Sequence, residues 1–189
     1  MFKVMGAVLG VLVAGTAMAE PMGSDAARKA LLSTKGVAVE VTRHKALSEA
    51  EVKAVAMVAE GQVHYGAVAF SPGDGLMTEA TVAAIDFHST EAAAAAAAAE
   101  CDAKRKARTP CAVVALIRPA GWEPRPIQMS AAAAAAFRKD YGRNGPRAMA
   151  LSQSTGKFGL GKGRNAQADA LAACNKDVPA ADCVVMIAD

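Results

Sequence analysis

The clearest chemistry in this chain belongs to four cysteines, Cys101, Cys111, Cys174 and Cys183. They fall as two close pairs, with nine residues between the first two and eight between the last two. In an oxidising compartment an even set of cysteines forms disulfides, and four allow three pairings between which spacing alone does not choose. Redox work is disfavoured. Cys101 and Cys174 each close an Ala-rich helical segment, and the negative end of a helix dipole opposes a thiolate.

A second candidate is polar. His64, Asp86 and His88 come near one another if a hairpin turns around Asp74 to Met77. Two imidazoles and a carboxylate can hold zinc or act as an acid–base pair. A one-residue slip in register would send one partner to the opposite face, leaving only a polar sheet edge, and no H-x3-H or C-x2-C spacing supports a metal there. The third candidate is electrostatic. Lys104, Arg105, Lys106 and Arg108 lie between the first two cysteines, either as a solvated loop or as a contact for anionic lipid headgroups, polysaccharide or an acidic protein. Arg138, Lys139, Arg143 and Arg147 form a looser basic cluster, His44 stands alone, and the sole Trp122 either covers a thin core or meets a partner.

Two familiar motifs dissolve on inspection. Gly156 to Lys162 matches G-x4-G-K, but Gly163 occupies the place where a phosphate loop needs a Ser or Thr hydroxyl for magnesium. Ser154 to Lys157 spells S-x-x-K, yet this serine falls in an expected turn and no S-D-N or K-T-G follows. No catalytic set converges, no metal is implied and no cofactor is called for.

The elements that must position these groups occur twice. Tyr65-Gly66-Ala67-Val68-Ala69-Phe70-Ser71 leads into Gly73-Asp74-Gly75, a second strand-like run, an Ala-rich helix ending at Cys101, and the strand Cys111 to Ile117. Arg147-Ala148-Met149-Ala150-Leu151-Ser152 leads into Thr155-Gly156, a short run, a helix ending at Cys174, and the strand Cys183 to Ala188. Each unit reads as strand, turn, strand, helix, loop, strand. Within each, one cysteine ends a helix and the other opens the next strand, so Cys101–Cys111 and Cys174–Cys183 are the expected bonds. Closing a ring of about ten residues contributes roughly 2.5–3 kcal/mol.

Local patterns agree. Thr81 to His88 alternates with period two, as a half-covered strand does, and the strands opened by Cys111 and Cys183 are apolar on both faces, as central strands are. Ala92 to Ala99 is an unbroken alanine run of high helix propensity, thin enough to lie very close to a sheet. Ser89 or Thr90, Ser130 and Asn165 are N-cap candidates; Ser24 would cap a short helix stopped by Gly36; Ser48 and Glu51 form a capping box. Val37, Val39 and Val41 alternate as a strand, and Trp122 to Pro126 is linker-like.

The chain holds 47 Ala among 189 residues but only 37 Leu, Ile, Val and Phe, so its core is thin. A net charge of +3 gives no bulk drive toward nucleic acid. Such counts exclude a large cofactor enzyme, a coiled coil and a multipass membrane protein. At the N-terminus Lys3, the apolar stretch Val4 to Ala14, and Ala17-Met18-Ala19 before Glu20 predict a secretory signal peptide cleaved after Ala19. No cysteine follows that cut, so no lipid-modified end is expected.

The paired units resemble the bacterial domain-of-unknown-function family numbered 4189, whose pattern is an aromatic-Gly-Ala-hydrophobic-Ala-aromatic-Ser start, a Gly turn, an Ala-rich helix ending in Cys and a Cys-Val-Val strand. The first copy carries it well; in the second, Pro146-Arg147-Ala148 replaces the usual start and Leu151 the aromatic. That resemblance implies an exported, disulfide-containing domain and assigns no catalytic residue. A 5-aminolevulinate synthase reading has no support, because it needs a far larger fold and a pyridoxal-phosphate lysine environment.

The expectation is therefore an α+β protein: signal peptide over 1–19, a helical N-terminal extension over 20–62, a first ββαβ unit over 63–121, a Pro-containing linker and Ala-rich helix over 122–145, and a second ββαβ unit over 146–189. It would be periplasmic or secreted, a non-catalytic binding or structural protein whose partner is an anionic envelope component or another exported protein. The alternative is a small secreted enzyme or enzyme inhibitor using His64 and His88.

Overall fold

The structure is a computed structural model that describes residues 20–176, 178 and 180–189. The expected signal peptide lies outside the described residues. In chain order the elements are α1 (Ser24–Ala30), β1 (Val37–Val41), α2 (Glu49–Glu60), β2 (Gly66–Phe70), β3 (Val82–Ala84), α3 (Thr90–Lys104), β4 (Ala112–Pro119), α4 (Ala131–Asp140), β5 (Arg147–Ser152), β6 (Phe158–Lys162), α5 (Ala166–Asn175) and β7 (Cys183–Ala188). The fold is α+β, with helices packed on two antiparallel sheets of order β1-β4-β2-β3 and β6-β5-β7. The two units therefore do not share a sheet.

Side-chain size decides which helix covers which face. Successive residues of a strand point to opposite faces. In β2, Ala67 and Ala69 pack with Ala93, Ala97 and Cys101 of α3, while Val68 and Phe70 pack with Val55 and Ala59 of α2. In β5, Ala148 and Ala150 pack with Ala166, Ala170 and Cys174 of α5, while Met149 and Leu151 join Ala133, Ala134 and Phe137 of α4 and Ala27 of α1. Each sheet thus has a small-residue face that admits an Ala-rich helix closely and a large-residue face that carries the bulkier core. Both also shift register at the same point of the inner strand, between Val68 and Ala69 and between Met149 and Ala150.

The closest approach is in the second unit. A Cβ added at Gly159 would stand 2.1 Å from the Ala170 carbonyl oxygen, and one at Gly161 would stand 1.9 Å from that of Ala166. The Gly-rich strand exists because the backbone of α5 rests on it, which also leaves no room there for a phosphate.

Helix starts follow the capping chemistry in most places. Ser48 and Glu51 make both halves of the capping box, Ser89 accepts from the Ala92 N–H, and Ser130 accepts from the Ala133 N–H. Two expectations need correction. Ser24 is the first helical residue behind Gly23 rather than a cap, and its own N–H donates to the Asp189 carboxylate at 3.0 Å. Asn165 holds the N-cap position of α5, but its side chain makes no cap bond.

Four further differences concern the strands and the segments outside the two units. The expected run Thr81 to His88 is regular only over β3, because Asp86 turns to φ 60° and breaks the alternation. β7 is an edge strand, not a central one; its apolar faces are explained by helices on both sides, and Met22 runs beside it, donating to the Met186 carbonyl at 2.9 Å. Residues 20–62 are not purely helical or separate: α1 joins the core of the second unit, whereas β1 pairs with β4 and α2 covers the first sheet. Ile127 and Met129, from the linker, also enter the second core.

Candidate functional site

Both expected disulfides are present, Cys101–Cys111 and Cys174–Cys183, each with a Cα–Cα distance of 6.1 Å. Each closes the short loop between a helix end and the next strand. A second bond repeats alongside it. Asp102 Oδ1 accepts from the Cys111 N–H at 3.0 Å, and Asn175 Oδ1 accepts from the Cys183 N–H at 3.2 Å. In both units, then, the residue after the first cysteine holds the amide of the second. The readable signal was a Cys-Asx doublet at each helix end, Cys101-Asp102 and Cys174-Asn175.

Each ring is also latched to the neighbouring strand turn. In the first unit Asp74 accepts from the Ser71 hydroxyl at 2.7 Å and, across the turn, from the N–H groups of Lys106 and Ala107 at 3.0 Å each. Those bonds, led by the Ser71 hydroxyl, hold the Asp74 carboxyl below its usual range. In the second unit the Ser152 hydroxyl donates to Asp182 at 2.7 Å, and Ser152 Oγ accepts from the Thr155 N–H at 3.1 Å. Burial raises the Asp182 carboxyl, but the bonds from Ser154 and Ser152 outweigh it and leave the group lowered. Ser71 and Ser152 are both fully buried at the ends of their strands.

This latch reshapes the basic loop. Lys104 pairs with Glu100 at 2.5 Å and Arg105 with Asp102 at 2.6 Å, while Arg105 also donates to the Ala107 carbonyl. Lys106 and Arg108 are exposed and form no ion pair among the described residues. A groove of about 860 Å³ runs beside the ring between Asp74, Leu76, Met77 and Glu79 on one side and Lys104 and Lys106 on the other. Members of the looser basic cluster brace the fold instead: Arg138 donates to the Leu32 carbonyl at 3.0 Å, and Arg147 pairs with Asp189 at 3.1 Å. Trp122 is half-buried under the Arg118 guanidinium, 4.8 Å from the ring centre.

The expected polar cluster divides by role. His88 is buried, and both its ring nitrogens are engaged by main chain from distant segments. Nδ1 accepts from the Ser130 N–H at 3.0 Å and Nε2 lies 2.8 Å from the Lys157 carbonyl oxygen. An acceptor at Nδ1 makes Nε2 the protonated nitrogen, so this ring is neutral. Burial lowers its pKa, opposed by the Lys157 carbonyl and by Asp86 and Asp182. Asp86 Oδ1 accepts from the Ala132 N–H at 3.2 Å, in the first turn of α4. Gly156 presses on the same segment so closely that a Cβ there would stand 1.8 Å from the Asp86 carbonyl oxygen. His64 is buried edge-on to Tyr65 at 5.4 Å; burial lowers its pKa, with Asp86 opposing and Arg138 adding to the effect.

Segment 86–88 is therefore the junction of the molecule, joining the first sheet to the start of α4 and to the β5–β6 turn. An open cleft of about 600 Å³ borders it, lined by Ile85, Asp86, Ala132, Lys157 and Phe158 among others. No three His, Cys, Asp or Glu side chains among the described residues converge as a metal site. Sequence reasoning missed the junction because its partners lie 42 and 69 residues from His88 along the chain. Comparison with protein-family models, with curated proteins and with solved structures found no match to this chain.

Proposed function

We propose that this chain is an exported, non-catalytic binding or structural module of the bacterial envelope, periplasmic or secreted, related to the domain-of-unknown-function family numbered 4189. The observation that carries this reading is what the reactive side chains are used for. All four cysteines are in structural bonds. His88, Asp86, Asp74 and Asp182 are committed to hydrogen bonds that hold turns, loops, a strand end and the start of α4 together. A domain with so little bulky core gains from cross-links of this kind, and cross-links persist outside the cytoplasm. Among the described residues no helix is long and apolar enough to cross a membrane.

The binding surface in this reading is the first cysteine ring, and the partner an anionic envelope component. Ring closure and the Asp74 latch pre-organise the loop, which reduces the entropy lost on binding. Lys106 and Arg108 supply its unpaired charge, with Lys104 and Arg105 screened by their carboxylates. The test is retention of the oxidised protein on vesicles containing anionic phospholipid, across a salt series. Retention that weakens with salt and is lost in Lys106→Glu/Arg108→Glu supports the surface; retention unchanged by that substitution overturns it.

A further inference from the structure

We infer that His88 is a proton-operated latch between the two units: the neutral ring ties the first sheet to α4 and to the β5–β6 turn, and the protonated ring cannot hold both.

The geometry carries this. Nδ1 must present a lone pair to the Ser130 N–H, 3.0 Å away, while Nε2–H donates to the Lys157 carbonyl at 2.8 Å. Protonation places a second N–H at Nδ1, directed at the donor it now accepts from. The bond to Ser130 is lost and two like dipoles face each other, while the bond to Lys157 survives. The latch therefore opens at its α4 end first.

The surroundings work in both directions. Asp86, on the same segment, and Asp182, from the loop before β7, favour the imidazolium. The β5–β6 turn brings the Lys157 carbonyl, which accepts from Nε2–H in either state and also receives the Ser152 N–H at 3.0 Å. Lys157 itself is exposed. Against the charge stand two helix N-termini, that of α3 beginning two residues later and that of α4 beginning behind Ser130. α3 carries Glu91 in its first turn, whereas the first six residues of α4 are alanines. Ring burial, at 7% exposure, adds to the helix ends and leaves the neutral form favoured.

The consequence spreads because α4 is not peripheral. It supplies Ala133, Ala134 and Phe137 to the second core, and its capping Ser130 is the residue that His88 holds. An unfolded histidine titrates near 6.5, and this one titrates lower when folded, so folding is disfavoured as protons bind. The latch contributes fully above about pH 6.5, and its contribution is lost as pH falls toward the lowered folded value. His64 has the same sign and must be separated from it.

The experiment uses the full oxidised chain. Imidazole resonances give the His88 midpoint, and hydrogen exchange gives the protection of the Ser130 amide over the same pH series. Between about pH 6.5 and that midpoint, Ser130 protection falls by about tenfold per pH unit, and below the midpoint it levels off. The step is absent in His88→Gln, which keeps hydrogen-bonding atoms without titrating, and persists in His64→Gln. Ser130 protection that stays constant between about pH 6.5 and the His88 midpoint overturns the proposal, as does a fall that survives in His88→Gln. Should His88→Gln fail to fold, the wild-type profile decides the matter: a fall that begins near pH 6.5 and levels off at the His88 midpoint supports the latch, and one that continues below that midpoint overturns it.

Discussion

The two cysteine rings perform the same task with carboxylates placed on opposite sides of the same gap. In the first unit the carboxylate sits in the hairpin turn, at Asp74, and reaches out to the ring's main-chain amides. In the second it sits in the ring, at Asp182, and receives the hydroxyl of Ser152. The helices differ in parallel. α3 rests on alanines of its sheet, whereas α5 rests on Gly159 and Gly161. What both units require is a short loop tied to a strand end beside a thin helix, and more than one arrangement of residues satisfies it.

The largest expected difference between the units comes from that helix contact. Gly161→Ala places a Cβ against the Ala166 carbonyl of α5 and should destabilise by about 3 kcal/mol, the upper part of the overpacking range. Its counterpart in the first unit, Ala84→Gly, removes a methyl without a clash and should cost about 1 kcal/mol. Denaturant unfolding of the two variants checks the order; equal losses would mean that α5 is no closer to its sheet than α3.

Next come the disulfides, where the units should agree. Replacing Cys101 and Cys111 together by Ala, or Cys174 and Cys183, should each lower stability by about 2.5–3 kcal/mol, since the rings have nearly the same length. A gap of several-fold between the two double variants, read from melts without reductant, would show that the two bonds are not equivalent staples.

Smaller again are the caps. Ser130→Ala removes a buried cap bond and should cost about 1 kcal/mol, whereas Asn165→Ala, with no side-chain bond to lose, should cost a few tenths. The carboxylate latches sharpen the comparison through pH. Folded-state values of Asp74 and Asp182 are lowered, so their stabilisation is present above the usual carboxylate range near 4 and is lost as pH falls through the lowered values. Asp74→Asn should flatten this acid loss for exchange of the Lys106 and Ala107 amides, and Asp182→Asn for exchange of the Ser154 amide, from which that carboxylate accepts.

Local and periodic features were legible in the sequence. Aligning the two cysteine-containing segments identified both disulfides; Ser48, Ser89 and Ser130 announced their helices; and the glycine-rich strand signalled close backbone approach. The failures have separate physical origins. His88 acts through main-chain groups 42 and 69 residues distant, and a bond to backbone leaves no residue-type signature at the partner. Ser24 read as a cap because a cap and a first helical residue carry similar composition. β7 read as central because being apolar on both faces reports helices above and below, not strands on either side. The linker from Trp122 looked structureless, yet Ile127 and Met129 are buried, since tertiary contact supplies what local propensity lacks.

Non-reducing peptide mapping of the oxidised chain puts the stapling of each unit to the most direct test. The account predicts two linked pairs, Cys101 with Cys111 and Cys174 with Cys183. Four unmodified thiols, or a bridge running from one unit to the other, would contradict it.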